Sequence, residues 1–273
     1  MPTYVDKAGT VDLLRHQFGS LAAVCSPLSD DQWDAATCLP GWSVKDVLSH
    51  VVGTESMLAG VPAPSVDISH LDHMGNGVAE ANEVWVESMR SLRGDELLDR
   101  FGQITGRRLA SLEAMTQAEF DAPSWTPVGR DETYGRFMRI RHYDCFMHEH
   151  DIRDALGMPP RLDGRDIASA LEEVSTGLGY IVGRRASMPE GARVRIDLTG
   201  TVSRTFLVQV EGRAVEVESF DQPPTVGVEL PVTLFLRLTG GRDDLHRSGE
   251  VEIGFTGDRS LGEQLVANLA FTI

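Results

Sequence analysis

Apolar residues in the first part of the chain recur at the three- and four-residue spacings of buried helix faces. Val11, Leu14, Phe18, Leu21, Ala22 and Cys25 predict an amphipathic helix over residues 10–25, with Thr10 as its cap and Pro27 and Ser29-Asp30-Asp31 as its break. After the Pro40-Gly41 turn, Ser43 followed by Asp46 forms a capping-box pattern that starts a second helix, which buries Val44, Val47, Leu48, Val51, Val52 and Leu58. His50 falls at the edge of that stripe, among Val47, Val51 and Thr54. Beyond the Gly60–Pro64 loop, Val78, Ala81, Asn82, Trp85, Met89 and Leu92 predict one helical face, on which Asn82 is the polar member. Residues 95–117 predict another helix with Leu98, Phe101, Thr105, Leu109 and Leu112 inward. Residues 121–131 read as a polar loop, and a long helix follows from about Ile140 to Gly157. Short breaks and no strand pattern imply an up-and-down bundle.

The pattern changes after Gly157-Met158-Pro159-Pro160. One more helix, about 164–185, carries Ile167, Leu171, Val174 and Leu178, and period-two alternation then begins. Val194, Ile196 and Leu198 mark one strand, Phe206, Val208 and Val210 a second, Ala214–Val217 a third, and Val226 with Val228 a fourth. Pro231 opens a short helix through Leu234, Phe235 and Leu238. Glu250–Ile253 predicts a fifth strand and Leu261–Leu269 a closing helix. The expected architecture is α+β: a helical bundle over 1–160 and a smaller α+β domain over 161–273.

Composition narrows the function. No run of about 18 apolar residues exists, and the first residues lack the pattern of a secretory signal, so a cytoplasmic protein is expected. The formal net charge of −16 argues against nucleic acid and anionic membrane as partners. The three cysteines, Cys25, Cys38 and Cys145, form no CxxC pair and suit reduced thiols.

The candidate chemistry sits on the long helix. Asp144 and His148 are one turn apart and share a face, a spacing that lets a carboxylate and an imidazole bind one divalent cation. His150 lies roughly 200° around the axis from His148, and His142 also faces elsewhere, so a third ligand must come from another segment. On the bland alternative, Asp144 with His148 is a surface ion pair and Glu149, His150, Asp151 and Asp154 are a solvated face.

Two segments bear a family resemblance. Leu39-Pro40-Gly41-Trp42-Ser43-Val44-Lys45-Asp46-Val47-Leu48-Ser49-His50 resembles the second-helix signature of the mycothiol-dependent maleylpyruvate isomerase family, part of the DinB-like helical-bundle superfamily. Asp144-x-x-x-His148-Glu149-x-Asp151-Ile152-Arg153-x-Ala155-Leu156-Gly157 resembles its later metal-ligand signature. Phe235–Arg242 with Gly257-Asp258 and Leu261-Gly262 resembles the sterol-carrier-like C-terminal domain that many members carry. The resemblance implies a DinB-like bundle holding Zn²⁺, or another divalent metal, through His50, Asp144 and His148. One departure is Asp144, where the family pattern has Glu; Asp remains a suitable oxygen ligand.

The resemblance further implies mycothiol as cofactor, its thiol activated at the open metal position, in a cis-trans isomerase or thiol S-transferase acting on a small anionic organic substrate. Arg242 is the candidate for binding the substrate carboxylate, with Arg237 behind it. Glu149, Asp151 and Arg153 are candidates for orienting the ligands from behind. Two rival readings remain: a non-catalytic protein whose C-terminal domain holds a small apolar ligand while its metal is structural or vestigial, and a zinc-dependent hydrolase that uses the same ligands.

Overall fold

The structure is a computed structural model that describes residues 2–71, 77–242 and 253–272. The chain divides into two compact units, Met1–Arg161 and Leu162–Ile273. No helix among the described residues is long and apolar enough to cross a membrane.

The first unit is a helical bundle. Its long helices are α1 (Lys7–Cys25), α3 (Val44–Leu58), α4 (Gly77–Met89), α5 (Gly94–Ala114) and α7 (Tyr134–Ala155), with one-turn helices α2 (Asp30–Trp33) and α6 (Gln117–Phe120) in the connections. Leu14, Phe18 and Leu21 of α1 join Val47, Leu48 and Val51 of α3, Phe101 of α5 and Met138 and Ile152 of α7 in one core. Phe18 and Phe101 meet edge to face, with centroids 6.1 Å apart.

Three local expectations are corrected here. Helix α1 starts one turn before Thr10: Asp6 caps it by accepting from the Gly9 N–H at 2.6 Å, while Thr10 lies buried inside and donates to the Asp6 carbonyl. On α4 the buried face is Glu83, Val86 and Met89, and Asn82 is only half-buried. Glu83 turns inward because its carboxylate has two donors, Trp42 Nε1 at 2.8 Å and Arg90 Nη2 at 2.7 Å. The expected loop over 121–131 contains an antiparallel hairpin, β1 (Pro123–Thr126) with β2 (Gly129–Thr133). Strands of four and five residues leave too little alternation to register as a pattern. The hairpin holds through tertiary contact, with Trp125 edge to face against Phe137 of α7 at 5.9 Å.

The second unit pairs helices with a mixed sheet. Helix α8 (Gly164–Tyr180) ends in a π turn over Ile181–Arg185. Strands β3 (Arg193–Thr199), β4 (Arg204–Glu211), β5 (Arg213–Glu216), β6 (Val226–Pro231) and β7 (Gly254–Gly257) form a sheet in the order β5-β4-β3-β6-β7. Only β3 and β6 run parallel; the crossover between them contains β4 and β5. Val194, Ile196 and Leu198 are buried on β3 as the alternation requires. The unit's described residues also form helices α9 (Val232–Thr239) and α10 (Arg259–Ala267), α10 capped by Asp258. The fifth described strand of this unit is Gly254–Gly257; the strand expected at 250–253 falls, but for residue 253, outside the described residues.

Candidate metal centre

Helices α3 and α7 pack side by side and bring His50 to Asp144 and His148. The capping box at Ser43 and Asp46 sets where α3 begins: Ser43 N–H donates to Asp46 Oδ2 at 2.9 Å, and Asp46 N–H donates to Ser43 Oγ at 3.3 Å. His50 therefore enters nearly two turns into α3, on the side that meets α7. Gly41, at φ 78°, turns the preceding loop so that the Trp42 ring stands against both imidazoles, 5.3 Å from His50 and 6.2 Å from His148.

One ligating atom from each of His50, Asp144 and His148 lies within 4.8 Å of the others. His50 Nε2 is 3.3 Å from Asp144 Oδ2, and His148 Nε2 is 3.5 Å from Asp144 Oδ1. The two imidazoles are buried, whereas the Asp144 side chain keeps 29% exposure and opens the site to solvent. Burial alone would raise the Asp144 carboxyl, but Arg141, His148 and His50 outweigh it and hold it well below the usual carboxylate range. Burial pushes His50 down, toward the neutral ring that binds metal. Burial also opposes charge on His148, but the Asp144 and Asp151 carboxylates outweigh it and raise its pKa.

His148 Nδ1 donates to Asp151 Oδ2 at 3.0 Å, which turns the Nε2 lone pair toward Asp144. Asp151 is fully buried and also accepts from Cys38 Sγ at 3.5 Å. Two imidazole nitrogens and one ionised carboxylate form a donor set that fits zinc with a position left open. His50 Nδ1 is buried with no hydrogen-bond partner among the described residues, so this ring is oriented by packing, against Trp42 and His148, and not by an acceptor of the kind Asp151 gives His148.

The remaining sequence candidates divide. His142 turns away and stacks on Phe146, and His150 donates from Nδ1 to the Phe146 carbonyl at 2.9 Å. Glu149, His150 and Asp151 do not form a solvated face; all three are buried, and of that set only Asp154 is exposed. Glu149 points toward α1 and accepts from Gln17 and Ser20 there, from Arg153 one turn on along α7 and from Arg161 beyond it. Arg153 is spent on that pair, leaving Asp151 as the member of the trio that touches a candidate ligand. Arg242 belongs to the second unit, just past α9, where its guanidinium donates to the Gly240 carbonyl, and Arg237 is buried within α9.

Sequence reasoning gave no role to the groups behind Asp144. Arg141 Nη1 donates to Asp144 Oδ2 at 2.6 Å, and Arg141 Nε donates to Glu55 Oε1 at 3.0 Å. Glu55 Oε2 accepts from Arg108 Nε at 3.0 Å, and Arg108 reaches the Tyr134 hydroxyl at 2.9 Å. The spacing of three between Arg141 and Asp144 was a usable signal; the Glu55 and Arg108 partners were not visible in it.

The family profile described as the mycothiol maleylpyruvate isomerase N-terminal domain matches residues 14–153, just over half of the chain. No curated protein matches. Among solved structures, the mycothiol-dependent maleylpyruvate isomerase aligns with a TM-score of 0.60 at 15% identity, over 92% of this chain and 93% of that one. A histidine-to-alanine mutant of the mycothiol-dependent maleylpyruvate isomerase aligns with a TM-score of 0.59 at 14% identity and the same coverage. At such identities these likenesses establish the fold, in which a helical bundle is followed by an α+β unit, while the profile match over residues 14–153 settles kinship: the chain belongs to the mycothiol maleylpyruvate isomerase N-terminal domain family.

Proposed function

We propose that this protein is a mycothiol-dependent enzyme of the maleylpyruvate isomerase type, a cis-trans isomerase or thiol S-transferase, with zinc held by His50, Asp144 and His148. The observation that supports it best is the convergence of two buried imidazoles on an ionised carboxylate at the solvent-open end of the α3–α7 contact. Bound zinc would supply Lewis acidity, favouring the thiolate of a small thiol over its thiol form at neutral pH.

The chain's own groups do the rest. Asp151 holds the His148 tautomer, and burial keeps the His50 ring neutral. The Trp42 indole, held by its hydrogen bond to Glu83, stands against both imidazoles and walls one side of the site. Arg242 is assigned to the carboxylate of a small anionic substrate, because a protein of net charge −16 needs a local cation to receive an anion. The protein is taken to work in the cytoplasm, where thiols remain reduced.

The test is zinc content by elemental analysis in wild type, His50→Ala and His148→Ala, followed by turnover with and without added thiol. About one zinc per chain, lost in both variants, with turnover only when thiol is present, supports the reading. Turnover without any thiol would replace it with zinc-dependent hydrolysis. Absence of zinc from the wild type after zinc is supplied would refute it and favour a ligand-binding role.

A further inference from the structure

Behind the candidate ligands runs a chain of buried charges, Arg108, Glu55 and Arg141, which ends on the partly exposed Asp144. Glu55, Arg108 and Arg141 are only 2%, 3% and 4% exposed, and the formal charges of the four groups cancel. Desolvating such groups is expensive, and a bundle core needs no ion pairs to pack. Their placement is directional. Glu55 lies on α3 five residues beyond His50, Arg141 lies on α7 one turn before Asp144, and the Arg141 fork spans both helices. One arm donates to Glu55 Oε1 at 3.0 Å, one to Asp144 Oδ2 at 2.6 Å, and the third nitrogen lies 3.6 Å from Cys145 Sγ. Arg108 locks Glu55 from the other side and is itself held by Tyr134 and by Met138 Sδ at 3.4 Å.

We propose that Arg141 is the positioning residue that makes Asp144 a one-oxygen ligand and thereby sets the affinity and metal preference of the centre. The proposal rests on the metal reading given above. Arg141 draws on Oδ2, the oxygen that also faces His50 Nε2 at 3.3 Å, so Asp144 offers Oδ1, beside His148 Nε2, more freely to a cation than Oδ2. A carboxylate restricted in this way suits a small cation with few ligands, such as zinc. It disfavours cations that need six or more oxygens, such as calcium. The fork also stops the short Asp144 side chain from rotating off the His50–His148 pair while the site awaits metal. Glu55 and Arg108 act through Arg141, by fixing where its guanidinium stands.

The experiment measures zinc dissociation constants by chelator competition in the full-length wild type and in Arg141→Met, Arg141→Lys and Arg108→Met, with folding checked by circular dichroism. Loss of a group that orients a metal ligand typically costs roughly 10–100-fold in affinity, which is expected for Arg141→Met. Arg141→Lys keeps the charge but loses the fork, so it should fall between wild type and Arg141→Met, with a gain in calcium competition over wild type. Arg108→Met breaks the same network one step further out and should lose less zinc affinity than Arg141→Met, even as its melting temperature falls. Equal zinc affinity in wild type and Arg141→Met would overturn the proposal and leave the metal reading intact. So would equal losses in Arg108→Met and Arg141→Met, which would mark the network as structural only. Should Arg141→Met fail to fold, unchanged affinity in Arg141→Lys overturns it. A wild type that binds no zinc would bring down the metal reading itself, and this proposal with it.

Discussion

Replacing Glu55 by glutamine keeps shape and removes one buried charge. Glu55 accepts from Arg108 Nε and Arg141 Nε, each at 3.0 Å, with all three side chains almost wholly buried. A glutamine there retains one acceptor oxygen, but its amide NH₂ must face one of the two guanidinium groups, donor against donor. The variant therefore leaves a buried cation without its counter-charge. Removing one partner of a buried ion pair costs about 3–5 kcal/mol. At roughly 2–4 °C per kcal/mol for a unit of this size, the melting transition of the helical bundle should fall by roughly 6–20 °C. The assay is thermal denaturation followed by circular dichroism at 222 nm, with Glu263→Gln as the control. Glu263 pairs with Arg259 at 2.8 Å on the exposed face of α10, a class of pair worth only about 0.3–0.5 kcal/mol. A Glu55→Gln transition within about 2 °C of wild type would show that the bundle relaxes around the two guanidinium groups, and the account of this network as a rigid support would be wrong.

Glycine substitutions test the packing of α3 on α4. A Cβ at Gly53 would sit 2.4 Å from Trp85 Cβ, whereas one at Gly102 on α5 would meet nothing within 4 Å. Both changes gain about 0.5–1 kcal/mol of helix propensity, but overpacking costs about 1–3 kcal/mol, so Gly53→Ala should melt below wild type and Gly102→Ala above it; the reverse order in thermal scans would refute this. Alkylation of the native protein at pH 8 should label Cys38 alone, because Cys38 is exposed while burial and the Glu149 charge push Cys25 up to about 12, and Cys145 is buried and also raised. Intact-mass spectrometry showing two or three adducts before denaturation would count against it. Zinc supplied at about 100 times its dissociation constant should stabilise the bundle by about 2.7 kcal/mol, and chelation should reverse the gain. Identical melting curves with and without zinc would argue against a site assembled in the folded state.

Much of the fold was legible because local interactions specify it. The Ser43–Asp46 capping box, the apolar stripe of α3 and the alternation of Val194, Ile196 and Leu198 all act within a few residues. Asp144 and His148 on one face of α7 follow from helical pitch alone. The start of α1 was misplaced because Asp6 and Thr10 are both competent caps, and only the observed Asp6–Gly9 bond distinguishes them.

Tertiary structure decided what periodicity cannot. A helical period names a face but not its neighbour, so His50 meets Asp144 across 94 residues only through the packing of α3 on α7. A charged side chain is buried when a distant partner offsets its desolvation. Glu83 went inward because Trp42 and Arg90 reach it, and Glu149 because Gln17, Ser20, Arg153 and Arg161 surround it. Arg141 became the support of Asp144 because Glu55, 86 residues away, holds its other arm. The sequence by itself determined the long helices, most strands of the larger sheet and the shared face of Asp144 and His148 on α7, and its family resemblance pointed to His50; only packing brought His50 to that face and placed the buried charges behind it, since the free energy of a buried charge depends on groups far off along the chain.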